Sequence, residues 1–196
     1  MPKPADLGPL TSAAAEVFAV FADLGRTGCL IGGMALQRWG QPRFTADIDL
    51  TLLAPLGSEG QLIDELLGRL NARRPDARRQ ALDFRVLLLV ASNGVSVDIS
   101  LGALPFEEEV IQRASRWRQV AGVWLTTCSA EDLVIYKLVA ARPQDLLDVT
   151  GVVQRQGRRL DIERIRRWCR LFADLKEDPD LLRPFEDAWR RAGFKD

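Results

Sequence analysis

An apolar run, Leu30-Ile31, ends in two glycines, Gly32-Gly33, and a little further on Thr45-Ala46-Asp47-Ile48-Asp49-Leu50 carries two aspartates one residue apart. Side chains at i and i+2 of a strand share a face, so Asp47 and Asp49 stand side by side if this segment is extended. Paired carboxylates repel unless a cation or donor sits between them. The chain therefore needs a strand that turns into a helix, followed by a strand whose open face tolerates that pair.

Patterning supplies the rest of the order. Ala15, Val17, Phe18, Phe21 and Leu24 repeat at helical spacing, which predicts a helix over Leu10 to Leu24 with Thr11 or Ser12 as its cap. Cys29 to Ile31 reads as a short buried strand, Met34 to Trp39 as a helix and Thr45 to Leu53 as the second strand. Leu62, Leu66, Leu67 and Leu70 mark another helix, and Arg73 to Arg79 reads as a basic loop. Phe84 to Val90 and Val95 to Leu101 flank Ser92-Asn93-Gly94, a hairpin signal. A second hairpin is expected from Trp117 to Val120 and Val123 to Leu125, turning at Ala121-Gly122. From Ser129 the pattern is helical: Ser129 with Asp132 resembles a capping box, and Pro143 opens the next helix. Two more helices are expected at about Leu160 to Leu175 and Pro184 to Arg191. The expected fold is α+β. A mixed sheet flanked by helices fills a domain over residues 1–127, and a C-terminal helical region fills 128–196.

Composition removes several chemistries. The chain has 196 residues and no histidine, so a Ser-His-Asp triad, His-ligated zinc and His general-base catalysis are excluded. Formal net charge is zero, which gives no global field for nucleic acid. Cys29, Cys128 and Cys169 are too far apart for a zinc pattern and read as small core residues. There is no basic stretch leading into a long apolar segment at the N-terminus, and no run approaches a membrane span of about 18 residues. A cytoplasmic protein is expected.

In the strand Val95 to Leu101, Asp98 alternates with Val97 and Ile99 and so points away from the apolar face. If this strand lies beside the Asp47-x-Asp49 strand, three carboxylates converge. Hard oxygen donors without His or Cys select Mg²⁺ or Mn²⁺, and such a site suits two-metal phosphoryl or nucleotidyl transfer. Gly32-Gly33 at a helix start lets backbone N–H groups approach a phosphate. The plainer reading makes each Asp a surface strand residue and the glycines a tight turn.

Gly32-Gly33-Met34 followed by Arg43-Phe44-Thr45-Ala46-Asp47-Ile48-Asp49-Leu50 resembles the defining motif of the nucleotidyltransferase superfamily, the DNA polymerase β-like fold. Together with Glu131-Asp132-Leu133, Lys137 and Arg142-Pro143-Gln144-Asp145-Leu146-Leu147-Asp148, it is most similar to the abortive-infection type nucleotidyltransferases, toxins of bacterial toxin–antitoxin pairs. The resemblance covers about residues 28 to 153. It implies an enzyme that uses Mg²⁺ (or Mn²⁺) to transfer a nucleoside monophosphate from an NTP to an acceptor hydroxyl on tRNA, other RNA or a protein, with a cognate antitoxin as partner. Asp47, Asp49 and Asp98 would be catalytic metal ligands. Gly32, Gly33, Arg43 and Lys137 would bind the nucleotide, with Thr45, Arg142, Asp145 and Asp148 in support. Two departures stand out: Gly33 where many relatives have Ser, and Gln144 where they often have Lys.

Lys137 sits in a nearly all-apolar segment, where a charge needs a partner. Asp145 and Asp148, one turn apart, are candidates to pair with Lys137 or Arg142. Arg43 reads either as a phosphate ligand or as a solvated turn residue. The run Arg158-Arg159 to Arg170 reads as RNA contact or, more plainly, as a helix face balanced by Asp161 and Glu163. Two rivals remain. One is a haloacid-dehalogenase-like phosphatase, from Asp47-Ile48-Asp49-Leu50-Thr51; the other is an idle fold that binds a nucleotide or a partner.

Overall fold

A computed structural model describes residues 8–119 and 122–194. Val120 and Ala121 of the second expected turn, and the seven N-terminal residues read for a leader, lie outside this range. The described residues form two compact units. The first comprises residues up to Met34 together with Phe44–Cys128; the second comprises Ala35–Arg43 and the residues from Ser129 onward.

The first unit is a seven-stranded mixed sheet. The strands are β1 (Gly28–Ile31), β2 (Asp47–Leu53), β3 (Asn71–Ala72), β4 (Val86–Val90), β5 (Ser96–Gly102), β6 (Ser115–Arg118) and β7 (Trp124–Thr127). Their order is β3-β4-β5-β2-β1-β7-β6. β2 runs parallel to β5 and antiparallel to β1, and β1 runs parallel to β7. Alternation sorts the two faces. Leu30, Ile48, Leu50, Leu52, Val97, Ile99, Leu87, Leu89 and Leu125 form the buried face. Against it pack α1 (Pro9–Asp23), through Ala13, Ala14, Val17 and Phe21, α3 (Glu59–Leu67), through Leu62, Ile63 and Leu66, and α4 (Ala77–Phe84), through Ala77 and Ala81. Each large apolar side chain withdrawn from water contributes about 1.5–3 kcal/mol. This burial fixes the register, because a one-residue slip would turn every apolar residue outward. The helix α5 (Pro105–Arg113) buries Phe106 and Val110 and packs on β2.

The second unit is helical. It holds α6 (Ala130–Ala140), α7 (Pro143–Gln156), α8 (Ile162–Lys176) and α9 (Arg183–Arg191). It also takes in most of α2 (Gly32–Trp39), which begins in the first unit. Leu133, Val134, Leu138, Val149, Val152, Val153, Ile165, Phe185 and Trp189 are buried. Ser129 Oγ accepts from Asp132 N at 3.1 Å, the expected cap of α6. Pro143 occupies the first turn of α7, where its missing N–H removes no helical bond.

Several local expectations are corrected. The start of α1 is set by Gly8 and Pro9, which leaves Thr11 and Ser12 inside the helix. β2 begins at Asp47, so Thr45 lies in the turn before it. The basic segment expected as a loop holds the start of α4, preceded by the two-residue strand β3. α5 has no counterpart in the pattern reading, because Pro105 and three successive glutamates hide its short apolar stripe.

Candidate active site

In the first unit the open face of the sheet gathers the expected carboxylates. Asp49 pairs in register with Asp98 across the parallel strands β2 and β5, and Asp47 precedes Asp49 on the same half-buried face. On β1, Ile31 pairs with Asp49, so the turn into α2 emerges against that aspartate. Gly32 adopts φ +58°, a left-handed conformation that side chains disfavour. A Cβ placed there would overlap Asp49 Oδ2. A Cβ at Gly33 would come within 2.5 Å of Thr45 Oγ1. Thr45 Oγ1 in turn donates to Asp47 Oδ1 at 2.9 Å. The two glycines are thus the space in which Asp49 and the Thr45–Asp47 pair stand. This ties Gly33 to the position of Thr45.

Asp98 is not free to face its neighbours alone. The Arg73 guanidinium, arriving directly after β3, is bonded to Asp98 Oδ1. It also donates to Val97 O at 3.3 Å and Leu89 O at 3.4 Å. The sequence pattern around Arg73 predicts only a basic loop. Its signal is faint, because a two-residue strand sets its direction. With Asp98 held this way, no three carboxylates among the described residues form a ready-made metal cage. The donor set itself fits a hard divalent cation: Asp49 and Asp98 in register and Asp47 two residues along on the same face, with no nitrogen or sulfur ligand among them. Asp47, Asp49 and Asp98 are the residues that would hold it.

In the second unit Lys137, 6% exposed, bonds Asp145 Oδ1 at 2.6 Å and Asp148 Oδ2 at 2.8 Å. The expected pairing with Lys137 is present. The second cation is Arg43 rather than Arg142: Arg43 grips Asp148 with two bonds of 2.9 Å, and Arg142 is exposed at the α7 cap without an ion pair among the described residues. Arg43 is therefore an ion-paired residue rather than a solvated turn residue, with its side chain still one-third exposed. Burial pushes the Asp148 carboxyl up, but hydrogen bonds from Arg43, Lys137 and Gln144 outweigh it and hold the group below the usual carboxylate range. Gln144 donates to Asp148 Oδ1 at 3.1 Å.

Much of the basic run beyond Arg158 is spent inside this unit. Arg164 is buried with Asp132 at 2.7 Å, and Arg166 bonds Glu186 at 2.8 Å. Arg158 and Arg159 lie in a 3₁₀ turn before α8, not along its face.

The model of the "Nucleotidyl transferase AbiEii toxin, Type IV TA system" family matches residues 19–193. The chain belongs to that family, and it is a nucleotidyltransferase. No curated protein sequence matches it significantly. Among solved structures it is similar to the antibiotic-resistance factor ANT(2'')-Ia in solution (16% identity, 93% of this chain and 92% of that one, TM-score 0.43). It is also similar to ANT(2'')-Ia in complex with adenylyl-2''-tobramycin (18%, 92% and 97%, TM-score 0.42). A third is an antigenic nucleotidyltransferase-like protein from Paracoccidioides brasiliensis (14%, 91% and 95%, TM-score 0.41). Family membership leaves no place for the phosphatase reading of Asp47-Ile48-Asp49-Leu50-Thr51. No helix among the described residues is long and apolar enough to cross a membrane.

Proposed function

We propose that this chain transfers a nucleoside monophosphate from an NTP to a hydroxyl of RNA, tRNA or protein, as the toxin of a toxin–antitoxin pair with a cognate antitoxin. The observation that carries this reading is the register of Asp49 with Asp98, with Gly32 packed on Asp49 at the start of α2. Asp47 and Asp49 would hold both divalent ions, and Asp98 would share the one at the attacking hydroxyl. Bound Mg²⁺ or Mn²⁺ supplies a lowered hydroxyl pKa and charge neutralisation for the departing pyrophosphate.

The chain's own groups do the remaining work. The backbone at Gly32-Gly33 receives the triphosphate at a helix start. Thr45 orients Asp47 through its hydrogen bond. Asp98 takes the proton of the attacking hydroxyl. The new bond forms between that oxygen and the α-phosphorus as the bond to the bridging oxygen breaks, and pyrophosphate leaves. A nucleotide-binding role for Arg43 and Lys137 requires each to yield part of its bonding with Asp148 or Asp145 to a phosphate oxygen. In this reading the catalytic domain is residues 1–127 and the region 128–196 is its helical appendage.

The test incubates the protein with Mg²⁺ or Mn²⁺, each labelled NTP, and RNA and protein acceptors. Label transfer that Asp47→Asn abolishes is expected. Nucleotide binding by titration without transfer to any acceptor would instead leave a binding module of the same fold.

A further inference from the structure

The outer hairpin of the sheet carries a feature that nucleotide chemistry does not use. From Val110 to Ala130 the sequence holds no Asp or Glu, three arginines (Arg113, Arg116, Arg118) and two tryptophans (Trp117, Trp124). β6 is the outermost strand, pairing only with β7. Its register sets Arg118 opposite Trp124 and Arg116 opposite Thr126, so Arg116, Arg118 and Trp124 share one face. The Arg116 guanidinium lies over the Trp124 ring, 4.7 Å from its centre. Trp124 is 50% exposed, and both arginines are exposed. Among the described residues neither arginine has a carboxylate partner, although most other arginines of the first unit do.

The face is the one that holds the aspartates. Ile31 pairs with Asp49 and Leu30 with Thr127, so the core-facing side chains are Leu30, Thr127 and Leu125. Trp124, Thr126 and their β6 partners fall on the opposite side, with Asp47, Asp49 and Asp98. Three strand spacings and a two-residue rise put Arg116 about 16 Å from Asp49.

We propose that the β6–β7 hairpin is a docking surface for single-stranded RNA, which holds the acceptor strand while its terminal hydroxyl is at the aspartates. Arg116 and Arg118 match backbone phosphates, and Trp124, already stacked with a cation, offers its ring to an unstacked base. The same arginines keep the open edge of β6 from pairing with another protein strand. The link to catalysis rests on the transferase reading above; the binding itself does not.

The experiment measures fluorescence anisotropy of a 5'-fluorescein, 20-nucleotide single-stranded RNA with the full chain, without NTP or metal, across a KCl series. Parallel arms use duplex RNA and single-stranded DNA of the same sequence. Wild type should prefer single-stranded RNA. Trp124→Ala should weaken binding about fivefold to a hundredfold, with Trp124→Phe recovering most of it. Arg116→Ala/Arg118→Ala should flatten the log–log salt slope by about 1.4, the value for two phosphates on a single strand. Circular dichroism checks that each variant is folded. Equal binding by wild type and variants, tighter binding of DNA or duplex, or no RNA affinity beside efficient transfer to a protein would each overturn the docking surface. RNA binding as expected with no transfer by any NTP would sink the transferase reading and leave the docking surface standing.

Discussion

Arg73 and Asp98 are bonded across the open end of the sheet, so the third carboxylate of the proposed site is held by a cation of the protein itself. Both side chains are roughly one-third exposed, and such a pair contributes at most about 1 kcal/mol to stability. Arg73→Ala is therefore expected to leave the unfolding midpoint nearly unchanged. It should lower the Mn²⁺ concentration needed for half-maximal transfer, because the ion no longer competes with a guanidinium. An unchanged metal requirement would mean that Asp98 is not contested. Asp98→Asn should abolish transfer with Arg73 present or absent.

Gly32 tests the site by volume alone. Gly32→Ala forces a methyl into the space of Asp49 Oδ2 and imposes a left-handed backbone on alanine, a strain of order 1–3 kcal/mol. Transfer activity should fall by at least tenfold. Thermal unfolding measured alongside should register both the backbone strain and the displacement of Asp49. Full activity in Gly32→Ala would show that Asp49 need not stand where it does.

Lys137 tests the second unit. Lys137→Met leaves Asp145 and Asp148 buried with Arg43 as the one remaining cation of the cluster. Removing one member of a buried ion cluster costs about 3–5 kcal/mol. Urea denaturation should show a loss of that size. Lys137→Met with Asp145→Leu should recover part of it, because one uncompensated charge leaves as well.

Asp148 gives the pH dependence. Its folded pKa lies below the unfolded value, so its contribution is complete above the ordinary Asp pKa of about 3.9. It is lost as pH falls through the lower folded value. Urea midpoints measured between pH 6 and pH 2.5 should drop steeply at the acid end. Asp148→Asn should flatten that drop while lowering stability at neutral pH.

The three cysteines are buried and form no disulfide among the described residues, and burial pushes the Cys169 thiol up to about 12. At pH 8 a thiol reagent such as DTNB should leave the native chain unmodified and label three thiols once urea unfolds it. Rapid labelling of native protein would contradict the packing around Cys169.

Legibility in the sequence followed the length scale of each interaction. Ser129 with Asp132 and Pro143 in its first turn were readable because a helix start is decided within four residues. The alternation around Asp98 was readable because a strand buried on one face writes its period into the chain. The partners of the charged groups were not. Arg43 meets Asp148 across 105 residues of sequence, and Arg73 meets Asp98 only because β3 pairs with β4, which pairs with β5. Helix α5 is hard to read for another reason: its buried stripe is only Phe106 and Val110, too short to show a period.

The second unit is sewn from two separate lengths of chain. Arg155 donates to Gln37 O at 3.1 Å and Gly40 O at 2.6 Å, and Gln156 donates to Trp39 O at 2.6 Å. A gene fragment ending at Cys128 would still encode Ala35–Arg43 but would strip it of those donors. The two units are thus not interchangeable cassettes. A single crossover or proteolytic cut after Cys128 hands on the first unit only with Ala35–Arg43 still attached, and no single cut hands on the second unit whole.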